Sequence, residues 1–398
     1  MKILFVTYRF PYPSVNHAGG VYVLNTILAL KSRGIDVDLL SFINNDEIEY
    51  AESMKVYIDS MILIPSKKSF YERILDLIKY LYKPKFVVDA YQRKFINALI
   101  KMQKKTTYDI IQFEWTQMGQ YISYVKNPNT VNILTEQDVS IIPIERDFYR
   151  QKVGFRKLKK LWTFILIKSY EPCLCAKFDM VFTLSKKDSD FLQNINPDIK
   201  TIEYPILIAN DTQQTPIPDN KNILYLAHLG RSLNIEAVDW FYHNVFKDIL
   251  DIYPDAEFTI VGAEPNERIY QIAKNKQVKL FANVEDIIPF YKNARVFVSP
   301  LRVGGGIIKK NLDSMALGCP LITTTIGNEG INAVDGHDVL IANTKDEFIE
   351  KLKKVFIDYE FCKHISENAK NFISDNFHFN KSIDRIILEY KSLINAKR

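Results

Sequence analysis

The sequence contains little cysteine and no long apolar run, and each of these absences excludes a class of protein. Four cysteines in 398 residues are too few and too irregularly spaced for a disulfide framework or a double-pair zinc site. We therefore expect a reducing, cytoplasmic setting. No run approaches the roughly 20 apolar residues that a membrane-spanning helix needs. The short apolar N-terminus is soon broken by polar residues and a proline, which favours a first strand over a secretory signal.

The overall composition is that of a globular protein. Apolar residues make up 47% and charged residues 25% of the chain, which excludes disorder, collagen and coiled coil as the overall class. At roughly 100–200 residues per domain, the length predicts two or three domains.

Positive charge is concentrated in the first half of the chain. Residues 1–205 carry 29 Lys and Arg against 22 Asp and Glu, whereas the remainder carries 23 against 25. The excess lies in 67–105 and 146–160, where basic residues alternate with aromatic residues and leucine. Such surfaces suit an anionic membrane, although a solvated helix face is the plain alternative. No nucleic-acid-binding motif accompanies them, so we expect no nucleic acid as a partner.

Short apolar runs alternate with amphipathic helical patterns along nearly the whole chain. This alternation predicts an α/β fold with parallel sheets, because continuously apolar strands are typical of sheets covered on both faces. A polar, proline-containing stretch over 206–221 predicts a linker between domains at 1–205 and 222–379. A last amphipathic helix is predicted over 380–398. Ligands of such folds bind beyond the carboxyl ends of the strands.

The segment 299–318, SPLRVGGGIIKKNLDSMALG, carries the clearest chemical signal. A strand ends, three glycines follow and a helix begins, so that a ligand can approach the backbone and the free N–H groups of the helix start. Lys310 adds a full positive charge about one turn into the helix. Asp313 follows three residues later and suits a vicinal diol such as ribose. The pattern predicts phosphate binding, with a glycine-rich turn before a surface helix as the alternative.

This stretch and its surroundings resemble the retaining glycosyltransferases of family 4, which have the GT-B fold. PLRVGGGIIKKNLDSMALGCPLITTTIGNEG (300–330) follows the family pattern P-L-R-x-G-x-G-I-x-x-K-x-L-E-A-M-A-x-G-x-P closely. NIEAVDWF, YPDAEFTIVGAEP and NVEDIIPFYKNARVFVSP also match family patterns, and LSKKDSDFL resembles the element that precedes the linker.

The resemblance implies two Rossmann-like domains facing a central cleft, with a last helix that crosses back to the first domain. It implies sugar transfer with retention, without a metal or other cofactor, from a nucleoside diphosphate sugar, with UDP or GDP as the expected nucleotide. The acceptor would be a glycan or a lipid-linked sugar in bacterial cell-surface polysaccharide synthesis, and the setting would be cytoplasmic, at the inner face of the membrane. The implied catalytic residues are Lys310, Arg231 and Asp313. The implied donor-binding residues are Gly19, Gly20, His228, Arg302, Gly304, Gly305, Gly306, Ile307 and Glu329, and the acceptor-side residues are Glu114, Glu136 and Gln137.

Several positions depart from the family pattern. A glutamate common in the family falls at Gly305, and its usual partner eight residues on is the shorter Asp313. Gln137 replaces a histidine that often lies near the sugar, and glutamine cannot take a proton near neutral pH. The family glycine after the first strand of the second domain aligns either with Ala227, followed by His228, or with Gly230 before Arg231.

These departures motivate alternatives from other classes. The second hypothesis is a catalytically weak or inactive GT-B protein that acts as a partner or glycan-binding subunit of another transferase. A nucleotide-sugar epimerase ranks lower, because no acid and base pair is evident. A dinucleotide-dependent dehydrogenase is disfavoured, because no G-x-G-x-x-G directly follows the first strand.

Overall fold

The computed structural model describes residues 1–13, 15, 17–150, 154–204, 217–303, 307–377 and 379–398. The chain divides into two compact units. The first comprises Met1–Leu207 together with Asn380–Arg398, and the second comprises Ile208–Phe379. Within the described ranges, no helix has both the length and the apolarity that crossing a bilayer requires.

The first unit is built around a seven-stranded parallel sheet with the order β3-β2-β1-β4-β5-β6-β7. Helices connect the strands, and two 3₁₀ segments, Asn45–Tyr50 and Thr116–Tyr124, follow β2 and β4. The strands are β1 Lys2–Thr7, β2 Asp36–Ile43, β3 Ser60–Pro65, β4 Ile110–Glu114, β5 Val131–Glu136, β6 Met180–Thr183 and β7 Thr201–Glu203. The helices are α1 Ala18–Ser32, α2 Ala51–Met54, α3 Phe70–Lys79, α4 Lys85–Asp89, α5 Arg93–Lys105, α6 Ile141–Arg150, α7 Phe155–Cys175 and α8 Lys186–Ile195.

The second unit repeats this architecture with six parallel strands in the order β10-β9-β8-β11-β12-β13. Its strands are β8 Asn222–Leu226, β9 Glu257–Gly262, β10 Val278–Ala282, β11 Val296–Ser299, β12 Leu321–Thr323 and β13 Leu340–Ile341. Its helices are α9 Ser232–Phe241, α10 Lys247–Ile252, α11 Glu267–Ile272, α12 Ile288–Asn293, α13 Lys309–Ala316, α14 Lys345–Ile357 and α15 Tyr359–Asn376, with a π turn at Tyr242–Phe246 before α10. The α/β class predicted from the sequence is confirmed.

The central strands are buried on both faces, which explains their continuous apolar sequences. In the first unit, Leu4, Val6 and Phe113 lie in a core between sheet and helices. In the second unit, the corresponding core includes Ile223 and Val298. Most of the predicted linker lies outside the described residues. Ile217, near its end, already packs in the core of the second unit.

The last helix, α16 Phe379–Lys397, belongs to the first unit. Ile383, Ile386 and Tyr390 are its buried apolar residues, in agreement with the predicted helical spacing. The Tyr390 hydroxyl donates to Oε1 of Gln112 on β4 and lies 3.1 Å from the Tyr204 hydroxyl. These contacts attach the helix to the sheet of the first unit.

Candidate functional site

The strands β8 and β11 are neighbours at the centre of the second sheet, where the order of the strands reverses. A loop of the second unit follows each of them. β8 leads into residues 227–231 and its neighbour β11 leads into residues 300–308. Crevices at such positions are the usual ligand sites of doubly wound sheets. Gly262, at the end of β9, is required here, because a Cβ at this position would lie 1.7 Å from the carbonyl oxygen of Ala227. The loop after β8 therefore packs directly against the backbone at the end of β9.

Lys310 points its ammonium nitrogen into a buried position. Among the described residues, its Nζ has no hydrogen-bond partner, and it lies 4.5 Å from the ring centroid of Tyr225 on β8. Burial lowers the pKa of Lys310 to about 7. A buried ammonium without an anion is unfavourable, and a lysine with a strongly lowered pKa is more often found in a functional site than elsewhere.

Among the described residues, no side chain caps the start of α13. Ile308 occupies the N-cap position without a side-chain hydrogen bond, and the first turn contains no acidic residue. Helix starts of this kind attract anions.

Asp313 pairs with Lys309 and not with Lys310: its carboxylate lies 2.7 Å from Lys309 Nζ. Burial raises the pKa of Asp313, and Lys309 opposes this rise. A ribose at Asp313 would have to share the carboxylate with Lys309.

Arg231 and His228 lie in the loop after β8. Arg231 is the N-cap residue of α9 and is exposed; no hydrogen bond or ion pair of its side chain is found within the described part of the chain. His228 is ordered by its neighbours: its Nδ1 accepts from the Gly230 N–H at 3.3 Å, and its Nε2 lies 3.8 Å from the Glu264 carboxylate. The arginine is therefore the more available cation.

The remaining donor-side predictions have mixed surroundings. The Arg302 guanidinium stacks 5.4 Å from the ring centroid of Trp240 on α9, which supports a packing role. Glu329 is partly exposed after β12, and Ile307 is partly buried just before α13. Gly304, Gly305 and Gly306 lie outside the described residues.

In the first unit, Gly19 and Gly20 begin α1 beside the loop after β4. A Cβ at Gly19 would lie 2.3 Å from Gln137 Oε1 and 2.7 Å from Trp115 Cζ2, so any larger residue would displace these side chains. His17 is the N-cap residue of α1, and its Nδ1 accepts from the Gly20 N–H at 2.9 Å. Trp115 has a φ of 72°, a strained conformation for a bulky residue and one often found at functional sites.

Glu114 is fully buried at the end of β4. It accepts hydrogen bonds from Gln112 Nε2 at 2.7 Å, Gln137 Nε2 at 3.1 Å and Thr135 Oγ1 at 3.1 Å. Burial raises its pKa to about 7, and these donors oppose the rise. Gln137 Nε2 also lies 3.5 Å from the carbonyl oxygen of Gly19. Gln137 therefore connects the buried Glu114 carboxylate to the start of α1.

Glu136 is buried opposite a second carboxylate that the sequence predictions did not include. Glu171 on α7 accepts from the N–H groups of Ser140 and Ile141 at 2.8 and 3.0 Å. Thr116 Oγ1 donates to Glu136 at 2.6 Å. Burial and the nearby Glu171 raise the pKa of Glu136 well above its ordinary value. This arrangement holds the start of α6 and favours a structural role for Glu136.

Comparison with known proteins supports a glycosyltransferase. Residues 220–358 match the family model described as glycosyl transferases group 1. The chain is 23% identical to an uncharacterised 44.6 kDa protein from the cps region of Klebsiella pneumoniae, over 98% of this chain and 99% of that protein. It is 30% identical to the capsular polysaccharide biosynthesis glycosyltransferase CapM of Staphylococcus aureus, over 38% of this chain and 42% of CapM.

Solved structures decide the fold. A sucrose-phosphate synthase from Thermosynechococcus elongatus superposes with a TM-score of 0.75 at 14% identity, with both chains fully covered. The fold is GT-B. Anabaena Alr3699/HepE, solved in complex with UDP and glucose, gives a TM-score of 0.66 at 11% identity over 98% of this chain and all of that one.

Three residues that contact or neighbour predicted site residues within their own unit of this GT-B protein were not predicted. The sequence signal for Glu171 is its position on the apolar face of α7, between Ile167 and Leu174, where a carboxylate needs partners. Trp115 directly follows a predicted strand, but its strained backbone has no sequence signature. Lys309 is adjacent to Lys310, and only the helix start decides which lysine pairs with Asp313.

Proposed function

We propose that this protein is a retaining glycosyltransferase of family 4. It transfers a sugar from a nucleoside diphosphate sugar, with UDP or GDP as the nucleotide, to a glycan or lipid-linked acceptor during cell-surface polysaccharide synthesis. The second domain, 222–379, binds the donor. The first domain, 1–205 with the helix 380–398, binds the acceptor, and 206–221 joins the two.

The observation that carries the proposal is the buried Lys310 nitrogen, for which the described residues provide no partner. It lies on α13, which no described side chain caps, next to the strand β8, where the strand order of the second sheet reverses. A diphosphate would supply an anion for the lysine, keep it protonated and accept hydrogen bonds from N–H groups at the start of α13.

The same groups account for the chemistry. Negative charge develops on the diphosphate as the bond to the sugar breaks, so fixed cations and N–H donors stabilise the transition state. Lys310 and Arg231 supply the positive charges, and the Gly304–Gly306 loop lets the phosphates approach the backbone. Asp313, shared with Lys309, binds the ribose. Because these cations neutralise the leaving group, we expect turnover to persist in excess EDTA.

The relatives give the proposal its setting. CapM is described as a capsular polysaccharide biosynthesis glycosyltransferase, and Alr3699/HepE was solved with UDP and glucose. We extend both properties to this chain as proposals.

The first test is a thermal shift with UDP, GDP, ADP, CDP and dTDP on the wild type and on Lys310→Ala. Ligand at 100 times its Kd adds about 2.7 kcal/mol, which moves the midpoint of a unit of this size by roughly 5–11 °C. We expect one nucleotide to shift the wild type, Lys310→Ala to lose that shift and sugar transfer, and the exposed Lys276→Ala to keep both. If no nucleotide shifts the wild type, a partner-binding protein without transferase activity replaces the proposal.

We also propose a peripheral position at the inner face of the membrane. On α7, Leu158, Trp162 and Ile165 are exposed at helical spacing, and Lys157, Lys159 and Lys160 flank them. An exposed apolar stripe beside lysines suits an anionic bilayer surface. Flotation with anionic liposomes at low salt should recover the protein, and Leu158→Gln with Trp162→Gln should reduce recovery. Wild type that stays unbound at low salt would exclude this position.

A further inference from the structure

A cavity of about 280 Å³ lies at the carboxyl ends of β1, β2 and β3 in the first unit. Neither the residues that we assign to the donor nor the predicted acceptor residues Glu114, Glu136 and Gln137 are among its lining residues. Its walls are Tyr8, Arg9, Phe42, Ile43, Asn44, Glu47, Ser66, Lys67, Lys68, Arg73 and Asp89.

The cavity has more positive charge than its own carboxylates neutralise. Four cationic side chains line it against two carboxylates. Of these, Lys68 is nearly buried and pairs with Asp76 at 2.8 Å, while Arg73 lies 3.9 Å from Asp89. Glu47 accepts from the Asn44 N–H at 2.8 Å and so caps the 3₁₀ segment after β2.

Arg9 and Lys67 are the available cations of the cavity. Both are exposed, and within the described ranges neither has a carboxylate partner. The Arg9 guanidinium lies over the Tyr8 ring, 5.4 Å from its centroid, which holds it at the cavity. An oxyanion in the cavity would therefore meet two cations that no protein carboxylate neutralises.

Helix α3, which contributes Arg73 to this cavity, turns its apolar face to solvent. None of its residues is buried. Phe70, Tyr71, Leu75 and Ile78 are 64 to 79% exposed, and their spacing places them on one side of the helix. On another side, Asp76 reaches inward to the nearly buried Lys68. An ordinary surface helix has the opposite arrangement, so this apolar face is available to a hydrocarbon.

We propose that the cavity and the exposed face of α3 together bind a lipid phosphate, the anionic and apolar part of a lipid-linked acceptor. The phosphate oxygens would lie between Arg9, Lys67 and Arg73, and the hydrocarbon would lie along Phe70, Leu75 and Ile78. Phe70 is three residues from Arg73 and is therefore its neighbour on α3, so the apolar surface of the helix begins beside the anion site. This inference rests on the proposed function and names the acceptor class.

The test is direct binding of farnesyl phosphate to the full chain, compared with farnesol, glycerol phosphate and inorganic phosphate. We expect farnesyl phosphate to bind most tightly. A charge-assisted contact contributes about 1.5 kcal/mol or more, so loss of the phosphate or of one cation should weaken binding roughly tenfold or more. Arg9→Gln with Lys67→Gln should weaken farnesyl phosphate more than farnesol, whereas Leu75→Gln with Ile78→Gln should weaken both ligands.

Lys101→Gln with Lys104→Gln, on the exposed side of α5, is the matched control and should leave binding unchanged. Inorganic phosphate or glycerol phosphate that binds as tightly as farnesyl phosphate would indicate a simple anion site and overturn the proposal. Equal binding of farnesol and farnesyl phosphate would overturn it as well, because the cavity would then contribute nothing.

The outcome is independent of the donor site. Lys310→Ala should retain farnesyl phosphate binding although it loses nucleotide binding. If the wild type binds a nucleotide and transfers sugar but ignores lipid phosphates, the lipid-phosphate site is refuted while the transferase proposal stands. If lipid phosphate binds and no nucleotide does, the transferase proposal fails and the lipid-phosphate site remains.

Discussion

Replacing Lys310 with methionine should stabilise the protein while abolishing donor binding. The lysine pKa falls from 10.5 to about 7 on folding, because its nitrogen is buried beside Tyr225 and no described residue provides an anion. Lys310 therefore binds its proton more tightly in the unfolded chain than in the folded protein. The cost to the folded state is greatest below about pH 7 and disappears as the pH approaches 10.5. It amounts to about 4 kcal/mol near pH 7 and about 2 kcal/mol near pH 9.

Methionine is an unbranched side chain one atom shorter than lysine and removes the charge, so Lys310→Met should recover much of this cost. The expected gain at neutral pH corresponds to a rise of roughly 10 °C in the melting of the second unit. Scanning calorimetry near pH 7 and pH 9 measures it, with the exposed Lys276→Met as control. A variant no more stable than the wild type, or equally stabilised at both pH values, would refute a buried and unpaired lysine.

Three further predictions concern the sheets and their connections. Burial raises the pKa of Glu114 to about 7, so its carboxylate costs stability above its ordinary pKa; Glu114→Gln should be more stable than wild type near pH 8 and equal near pH 4 in urea titrations. A gain that does not change with pH would contradict this. Gly262→Ala forces a methyl group against the Ala227 carbonyl and should cost about 1–3 kcal/mol of unfolding free energy; an unchanged thermal midpoint would argue against that contact. Tyr390→Phe removes the bond to Gln112 and should cost about 1 kcal/mol, with faster hydrogen exchange in α16; unaltered exchange would show that the hydroxyl contributes nothing.

Local pattern was sufficient to predict the architecture. NILYL and RVFVS each contain an apolar run, ILYL and VFV, as parallel strands covered on both faces do. These runs lie in the adjacent strands β8 and β11. The glycine-rich segment between β11 and a helix predicts a ligand site at this edge of the second sheet, and this site stays a prediction. Periodicity also predicted α16, whose apolar residues recur at helical spacing.

The side-chain details of the site depend on quantities that spacing does not determine. Neighbouring helix residues are rotated by about 100°, so Lys309 and Lys310 face different directions. Because α13 begins at Lys309, Lys309 reaches Asp313 and Lys310 reaches Tyr225.

Helix α3 also has a feature that local sequence does not predict, namely which of its faces packs inward. Its amphipathic pattern alone predicts a buried apolar face, whereas its inward contact is the pair between Asp76 and Lys68. Whether a given face of a helix packs inward depends on long-range partners, and these are not visible in a local sequence pattern.

The placement of α16 also determines the order in which the chain can fold during synthesis. Residues 1–207 leave the ribosome first, but the sheet they form still lacks the helix that covers Gln112 and Tyr204. That helix follows the whole of the second unit, so the second unit can finish folding before the first. Until then the nascent first unit exposes apolar surface, and a stop codon or proteolytic cut late in the chain damages the unit that was made first.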